Sequence, residues 1–189
     1  MNWYPSEKQL EQFSTLQVLL NQWNKKVNLT RLVQGEDYWI GQVLDSLWPL
    51  RKRLNSASHI PFKKCIDVGS GCGFPGLAIA IAFPKTKITL VDAVTKKTNA
   101  LKGIISELDL LERAEVLTER IEQTGHDKSY RGMFDLATAR AVGPPNVVAE
   151  YLIPLIKPTG EALLYRGKWE ESLQKNMHDT LGKLNAKVQ

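Results

Sequence analysis

The fold class of this chain is decided by residues 67–76, which read DVGSGCGFPG. They begin inside a short apolar segment, near residues 64–69, that has the length and composition of a buried strand. Glycines at alternate positions let the backbone turn tightly and pass close to a ligand, because no Cβ stands in the way. Pro75 suits the first turn of a helix, whose free N–H groups would point into the same place. Residues 67–76 therefore predict a ligand-binding glycine loop between a strand and a helix.

Downstream of the glycine loop, short apolar strands alternate with amphipathic helices. Strands are predicted near residues 64–69, 87–92, 114–118, 133–139 and 160–166, and helices near residues 76–83, 96–109, 119–123, 146–154 and 169–184. This alternation is typical of an α/β fold, in which helices cover both faces of a mostly parallel sheet. Such a sheet binds its ligands at the carboxyl ends of its strands.

Upstream of the glycine loop, the pattern is helical. Apolar residues follow helical spacing over residues 7–27 and 36–53. The loop at residues 55–62 then has the composition of a boundary between two parts of a chain. We therefore expect two parts, an N-terminal helical extension at residues 1–62 and a ligand-binding α/β domain at residues 63–189.

The composition excludes several classes of protein. Hydrophobic residues make up 43% of the 189 residues and charged residues 24%, which is typical of a globular protein and not of a collagen or a disordered tail. The two cysteines offer no disulfide framework, and the longest nearly apolar run, residues 76–83, is too short to span a membrane. The N-terminus has no signal-peptide pattern. We therefore expect a soluble cytoplasmic protein that does not contact a membrane.

The net charge of +5 is unevenly distributed. Residues 21–64 contain eight basic side chains against three acidic ones, and the basic ones are Lys25, Lys26, Arg31, Arg51, Lys52, Arg53, Lys63 and Lys64. A basic patch attracts polyanions such as nucleic acid. A cluster of charges is also typical of a face that is merely solvated. The charge by itself leaves both interpretations open.

Asp92 closes the second predicted strand and points to a nucleoside ligand. A carboxylate at this position can accept hydrogen bonds from both hydroxyls of a ribose. A dinucleotide-binding loop is opposed by Phe74, which stands where the G-x-G-x-x-G pattern has its third glycine. A P-loop is opposed by the absence of its Lys-Ser/Thr pair. The three histidines lie far apart without metal-ligand spacing, so no metal site is predicted.

An acid followed by G-x-G-x-G after a first strand resembles motif I of the S-adenosylmethionine-dependent methyltransferases of the Rossmann-like class I. The resemblance extends to one family, the RsmG (GidB) methyltransferases of bacterial 16S rRNA. Residues 23–30, WNKKVNLT, resemble the WNK…NLT signature of the family, and residues 44–47, LDSL, resemble its H-x-L-D-S-L segment. Residues 66–76 resemble its IDVGTGxGxPG loop, and residues 139–141 its S-R-A turn. The similarity covers about residues 8–175.

The resemblance implies a reaction, a cofactor and a partner. The family transfers a methyl group from S-adenosylmethionine to N7 of guanosine 527 in the 530 loop of 16S rRNA, and S-adenosylhomocysteine is the other product. The implied partner is 16S rRNA or the small ribosomal subunit, and we expect the chain to be a monomer. Carried over residue by residue, the cofactor-binding positions are Gly69, Gly71, Phe74, Asp92, Ile121, Glu122 and Arg140. Asp92 would hold the ribose, and Ile121 and Glu122 would contact the adenine.

The expected catalytic residues are Asn28 and Arg140. Guanine N7 carries an in-plane lone pair and no proton at neutral pH, so its methylation requires alignment and no general base. We expect the guanine to lie against Arg140 and the NLT segment, residues 28–30. A cation beside N7 would oppose the positive charge that the base acquires. Arg140 is therefore expected to hold a phosphate or the cofactor carboxylate.

Two departures from the family pattern bear on function. Gln42 stands where the family has a histidine. Family members also continue beyond the position of Gln189 into a strand hairpin that completes a seven-stranded sheet, so we expect a C-terminally incomplete methyltransferase domain without that hairpin. Three other functions stay open: a methyltransferase for another substrate, a nicotinamide-dependent dehydrogenase, and an RNA-binding or ribosome-assembly factor that has lost methyl transfer.

Overall fold

The computed structural model describes residues 2–55, 62–167 and 171–188, the last segment without the side chains of residues 171–175. At its centre is a sheet of five strands: β1 (Lys64–Val68), β2 (Lys87–Asp92), β3 (Ala114–Thr118), β4 (Phe134–Arg140) and β5 (Ile156–Tyr165). Their order is β3-β2-β1-β4-β5, and every neighbouring pair is parallel. The predicted parallel sheet is therefore confirmed.

The N-terminal part is helical, as predicted. Its helices are α1 (Glu7–Asn24), α2 (Gly35–Tyr38), α3 (Asp45–Leu47) and α4 (Arg51–Leu54), with a π-helical segment at Trp39–Leu44 and a 3₁₀ turn at Trp48–Leu50. Ser6 caps α1, because its Oγ accepts a hydrogen bond from the N–H of Gln9 at 3.3 Å while Gln9 Oε1 accepts one from the N–H of Ser6 at 2.9 Å. The second predicted helix is present, but the π-helical segment and the 3₁₀ turn interrupt it.

The remaining helices connect or follow the strands: α5 (Gly76–Ala82), α6 (Thr95–Glu107), α7 (Ile121–His126), α8 (Pro145–Leu152) and α9 (Glu171–Lys183), with a 3₁₀ turn at Ile153–Leu155. β5 begins four residues before its predicted start at residue 160. Phe134 pairs with Ile156 but Leu136 pairs with Glu161, so β5 contains three more residues than β4 over this interval. No helix in the described part of the chain is long and apolar enough to cross a membrane.

Helices cover both faces of the sheet. On β1, Cys65 belongs to a core cluster with side chains of α1, α5 and α6, whereas its neighbour Ile66 belongs to a cluster with side chains of α8. Successive strand residues point to opposite faces of a sheet. The layer of α1, α5 and α6 therefore lies opposite α8, and α9 packs on α8 through Met177 and Leu181.

The N-terminal helices share one core with the α/β part. Gln9 Nε2 donates to the carbonyl of Ile81 at 2.9 Å and so satisfies a free carbonyl group at the end of α5. Trp23 lies on α6 at Gly103, where an added Cβ would come within 2.8 Å of the indole. The division into two parts stays a prediction, because residues 56–61 of its boundary loop lie outside the described residues.

The basic stretch of residues 21–64 does not form one surface. Lys64 is the first residue of β1, at the amino edge of the sheet, and its backbone N–H donates to Asp135 at 2.8 Å. Arg53 forms an ion pair with Glu161 of β5. The fold therefore places part of this charge at the amino edge of the sheet and pairs another part, and polyanion binding by the stretch stays a prediction.

Candidate active site

The candidate residues collect at the carboxyl edge of the sheet. The glycine loop follows β1, Asp92 ends β2, Ile121 begins α7 after β3, and Arg140 ends β4. In a parallel sheet these positions lie along one edge, where the connecting loops form a crevice. The fold therefore brings the predicted cofactor-binding residues onto neighbouring loops.

The glycine loop is held between β2 and the loop that follows β4. Gly69 has a φ of +65°, a left-handed conformation that glycine adopts without steric cost. A Cβ added to Gly69 would lie 2.6 Å from Cγ2 of Val142, in the loop after β4. On the other side, the N–H of Ser70 donates to the carbonyl of Val91 at 3.0 Å, and Ser70 Oγ accepts from the N–H of Val91 at 3.1 Å. The loop therefore has little room to move.

Asp67 supports the start of α5 from inside the protein. Its side chain is completely buried, and Oδ2 accepts a hydrogen bond from the N–H of Gly76 at 3.1 Å while Oδ1 accepts one from the hydroxyl of Thr138 at 2.8 Å. Burial raises the pKa of Asp67 from 3.8 to about 6, because desolvation outweighs these hydrogen bonds and the charge of Arg140. Asp67 therefore holds the glycine loop and the start of α5 in place, although the burial of its ionised carboxylate is unfavourable.

We expect Asp67→Asn to flatten the pH dependence of folding stability. The pKa of Asp67 is higher in the folded than in the unfolded chain, so its contribution to stability is fully present below pH 3.8 and is lost as the pH rises through about 6. A shift of about two pKa units corresponds to at most about 3 kcal/mol. Urea unfolding at pH 5 and pH 8 measures the effect. The wild-type chain should lose more stability than Asp67→Asn between these values, and equal losses would contradict the raised pKa.

Asp92 ties the glycine loop to the end of β2. Its Oδ2 accepts a hydrogen bond from the N–H of Gly71 at 2.8 Å, and its Oδ1 accepts one from the N–H of Val94 at 2.8 Å. These two bonds fix the orientation of the carboxylate, and each oxygen keeps a lone pair for a further donor. A fixed carboxylate beside glycine backbone can accept hydrogen bonds from a diol, which fits the ribose of S-adenosylmethionine.

Ile121 and Glu122 begin α7 directly after β3. Ile121 is half-buried, and Glu122 is exposed. Glu122 Oε1 accepts hydrogen bonds from the hydroxyl of Tyr151 at 3.2 Å and from Arg120 at 3.3 Å. The hydrogen bond from its own backbone N–H and the one from Arg120 hold the pKa of Glu122 below its usual range. Glu122 is therefore an ionised acceptor, as contact with an amino group requires.

Phe74 and Arg140 pack on each other beneath the N-terminal helices. Phe74 is 3% exposed, and its ring meets that of Tyr38 edge to face at a centroid distance of 6.0 Å. The guanidinium carbon of Arg140 lies 5.8 Å from the centroid of the Phe74 ring. Because this ring is covered, a ligand in the glycine loop can reach Phe74 chiefly through its backbone.

Arg140 also joins β4 to the N-terminal helices. Its guanidinium donates to Oε1 of Gln42, to the carbonyl of Gly41 at 3.3 Å and to Oδ2 of Asp45 at 3.3 Å. Gln42 is 1% exposed, and its Nε2 donates to Oγ1 of Thr30 at 3.0 Å. Gln42 thus acts as a neutral donor and acceptor. We call Thr30, Gln42 and Arg140 the Gln42 junction.

The NLT segment meets this junction through Thr30 and not through Asn28. Asn28 is exposed, and its side chain forms no hydrogen bond to another described residue. Asn24 holds the segment in place, because its Oδ1 accepts from the N–H of Leu29 at 2.8 Å and its Nδ2 donates to the carbonyl of Thr30 at 2.6 Å. Asn24 is absent from the predicted site, although an asparagine that ends a helix often bonds the following loop. The contact of Asn28 with guanine stays a prediction.

Solved methyltransferase structures share this fold. The O-methyltransferase from Bacillus cereus in complex with SAH aligns with a TM-score of 0.63 over 90% of this chain and 79% of that chain, at 16% identity. The O-methyltransferase TomG from Streptomyces achromogenes in complex with SAM aligns with a TM-score of 0.60 over 97% of this chain and 81% of that chain, at 12% identity. At such identities the likeness concerns the fold alone, and it confirms the predicted Rossmann-like class.

Sequence relatives agree with the resemblance. Ribosomal RNA small subunit methyltransferase G of Synechococcus sp. (strain CC9902) is 56% identical over 188 residues, which cover 100% of this chain and 76% of that protein. The protein of the same name from Prochlorococcus marinus (strain MIT 9313) is 56% identical over 186 residues, which cover 98% of this chain and 74% of that protein. The family model of GidB, rRNA small subunit methyltransferase G, matches residues 9–189. The chain therefore belongs to the rRNA small subunit methyltransferase G family.

Proposed function

We propose that the chain transfers a methyl group from S-adenosylmethionine to N7 of guanosine 527 in 16S rRNA. The observation that carries the proposal is the match of residues 9–189 to the rRNA small subunit methyltransferase G family. Methylation of small-subunit rRNA is the activity that the family name states. The N7 atom, the position of the guanosine, a monomeric state and a cytoplasmic location are the finer parts of the proposal.

The cofactor is S-adenosylmethionine, which supplies a methyl group already activated by its sulfonium. Asp92 accepts hydrogen bonds from the ribose hydroxyls, for which its fixed oxygens have lone pairs left. Gly69 and Gly71 keep the loop free of side chains where the ligand approaches. The N–H of Ile121 and the carboxylate of Glu122 contact the edge of the adenine. These roles agree with the chemistry that each residue offers at the carboxyl edge of the sheet.

The chain contributes alignment rather than proton transfer. Guanine N7 carries a lone pair and needs no general base, and correct placement of reacting groups can supply about 7–11 kcal/mol of a barrier. Asn28, exposed on the NLT segment, contacts the guanine. Arg140 is held by acceptors on Gly41, Gln42 and Asp45, and its charge binds an anionic group, either the cofactor carboxylate or an RNA phosphate.

We expect Asp92→Ala to weaken binding of S-adenosylmethionine about 10- to 100-fold, because hydrogen bonds to a charged group are lost together with the anchor of the glycine loop. Asp92→Asn keeps one acceptor oxygen and should bind with intermediate affinity. Asp179→Ala removes an exposed carboxylate on α9 and serves as the control. Calorimetric titration measures all three, and equal affinity of Asp92→Ala and the wild-type chain would exclude Asp92 from the cofactor site.

The reaction itself is tested with labelled S-adenosylmethionine and small ribosomal subunits that lack the modification. Methyl label at N7 of guanosine 527, located by mass spectrometry of RNA fragments, is the expected result. Label on another base or on a small molecule would show that the chain is a methyltransferase with a different substrate. Binding of RNA without any transfer by a chain that binds the cofactor would establish the ribosome-assembly alternative.

A further inference from the structure

A large cleft lies beside the glycine loop, between the N-terminal helices and the carboxyl ends of β4 and β5. Its volume is about 1060 Å³, slightly above the range of about 300–1,000 Å³ that is typical of small-ligand sites. Ile40, Trp48 and Pro49 line one wall, and residues 163–167 line the other. Arg140, which contacts the glycine loop through Phe74, also lines the cleft. The cleft therefore adjoins the glycine loop and shares Arg140 with the proposed cofactor site.

Trp48 presents an aromatic surface to this cleft. The residue is 48% exposed, although tryptophan has the largest apolar side chain to bury. The guanidinium carbon of Arg51 lies 4.8 Å from the indole centroid, and Arg51 Nη1 donates to the carbonyl of Trp48 at 3.0 Å. Trp48 lines the cleft, whereas Arg51 does not. Arg51 thus helps to hold the indole in place while about half of the residue stays exposed.

The charges around the cleft favour an anionic ligand. Arg140 and Arg166 line it together with one carboxylate, Asp45, which already pairs with Arg140 at 3.3 Å. Arg166 is exposed and donates through Nη1 to the carbonyl of Gly143 at 3.1 Å, which uses one of its five N–H groups. Exposed aromatic rings among arginines bind single-stranded nucleic acid, because bases stack on the rings while phosphates pair with the cations.

We propose that the cleft binds the nucleotide adjacent to the methylated guanosine, with its base stacked on Trp48 and its phosphate held by Arg166. The inference rests on the proposed function and adds an RNA-recognition subsite to it. Arg140 contacts Phe74 of the glycine loop and also lines the cleft, so a strand with its guanine against Arg140 and the NLT segment would place a neighbouring nucleotide in the cleft. Proteins that recognise RNA loops stack unpaired bases on aromatic side chains in this way.

Trp48→Ala should raise the KM for the RNA substrate about 5- to 100-fold, the range that alanine substitution gives for base stacking. Trp48→Phe keeps a ring and should stay within about threefold of the wild-type chain, because any aromatic face can stack on a base. The affinity for S-adenosylmethionine should be the same in all these proteins. Leu111→Ala is the matched control, since Leu111 is 62% exposed and precedes β3 at the opposite edge of the sheet.

The decisive experiment pairs each protein with RNA that lacks the base on one side of the target guanosine. If that base stacks on Trp48, its removal at one of the two flanking positions should cost the wild-type chain as much as Trp48→Ala does and should cost Trp48→Ala nothing further. If the losses from Trp48→Ala and from base removal add up at both flanking positions, or if the KM of Trp48→Ala is unchanged, the subsite is wrong. Methylation by the wild-type chain would in that case still support the proposed function. Failure of the wild-type chain to methylate RNA would overturn the proposed function and the subsite together.

Discussion

Gly69→Ala is expected to lower the affinity for S-adenosylmethionine more than 100-fold and to destabilise the fold by about 2–5 kcal/mol. Two costs add up in this variant. An alanine at a φ of +65° adopts the left-handed conformation, which costs about 1–2 kcal/mol. Its Cβ would also stand 2.6 Å from Cγ2 of Val142, so the glycine loop or the loop after β4 has to shift. Calorimetric titration and urea unfolding measure the two effects.

Gly132→Ala separates these costs. Gly132 has a φ of +69°, but an added Cβ meets no atom within 4 Å. This variant should lose only about 1–2 kcal/mol and should bind the cofactor normally. Val142→Ala removes the clashing methyl group, so Gly69→Ala combined with Val142→Ala should recover stability to the level of Gly132→Ala and regain much of the affinity. Equal behaviour of Gly69→Ala and Gly132→Ala would show that the contact with Val142 does not matter.

The centre of the sheet was predictable because β1 and β2 are short strands in which every residue after the first is buried. β2 and β3 have the predicted bounds, β1 ends one residue before its predicted end, and β4 is shifted by one residue at both ends. The start of β5 was not predictable in this way. Residues 157–160 include Pro158 and Gly160, which interrupt the apolar pattern, while the backbone still continues the strand through a bulge.

The site was only partly predictable, because its parts meet across long stretches of chain. Gly69, Asp92 and Arg140 follow strands, and the topology of a parallel sheet is enough to bring such residues to one edge. The bond between Gln42 and Arg140 joins residues 98 positions apart, and no local pattern indicates it. The π-helical segment at Trp39–Leu44 was likewise not indicated by the local sequence pattern. It changes the helical phase, so Ile40 is 52% exposed and lines the cleft although regular spacing groups it with buried Leu47.

Arg140→Ala is expected to lower kcat/KM for methyl transfer about 100- to 1000-fold, the range that follows from truncating a partly buried, hydrogen-bonded cation at the site. The variant loses a cation at the proposed site and leaves Oε1 of buried Gln42 without its donor. Arg140→Lys should recover little, because one ammonium group cannot reproduce the planar fork that reaches several acceptors. Arg131→Ala is the control, since Arg131 is an exposed arginine whose Nη1 donates to the carbonyl of Gly125 at 3.0 Å.

A second substitution tells whether Arg140 acts on an anion or only holds the N-terminal helices. Adding Gln42→Leu to Arg140→Ala removes the orphaned acceptor, so part of the lost stability should return. Thr30 is not orphaned in turn, because its Oγ1 still accepts a hydrogen bond from the N–H of Leu32 at 3.1 Å. If Arg140 binds the cofactor carboxylate or an RNA phosphate, the double variant regains stability but stays inactive. If activity returns together with stability, Arg140 is a structural link alone, and its assignment to an anion is wrong.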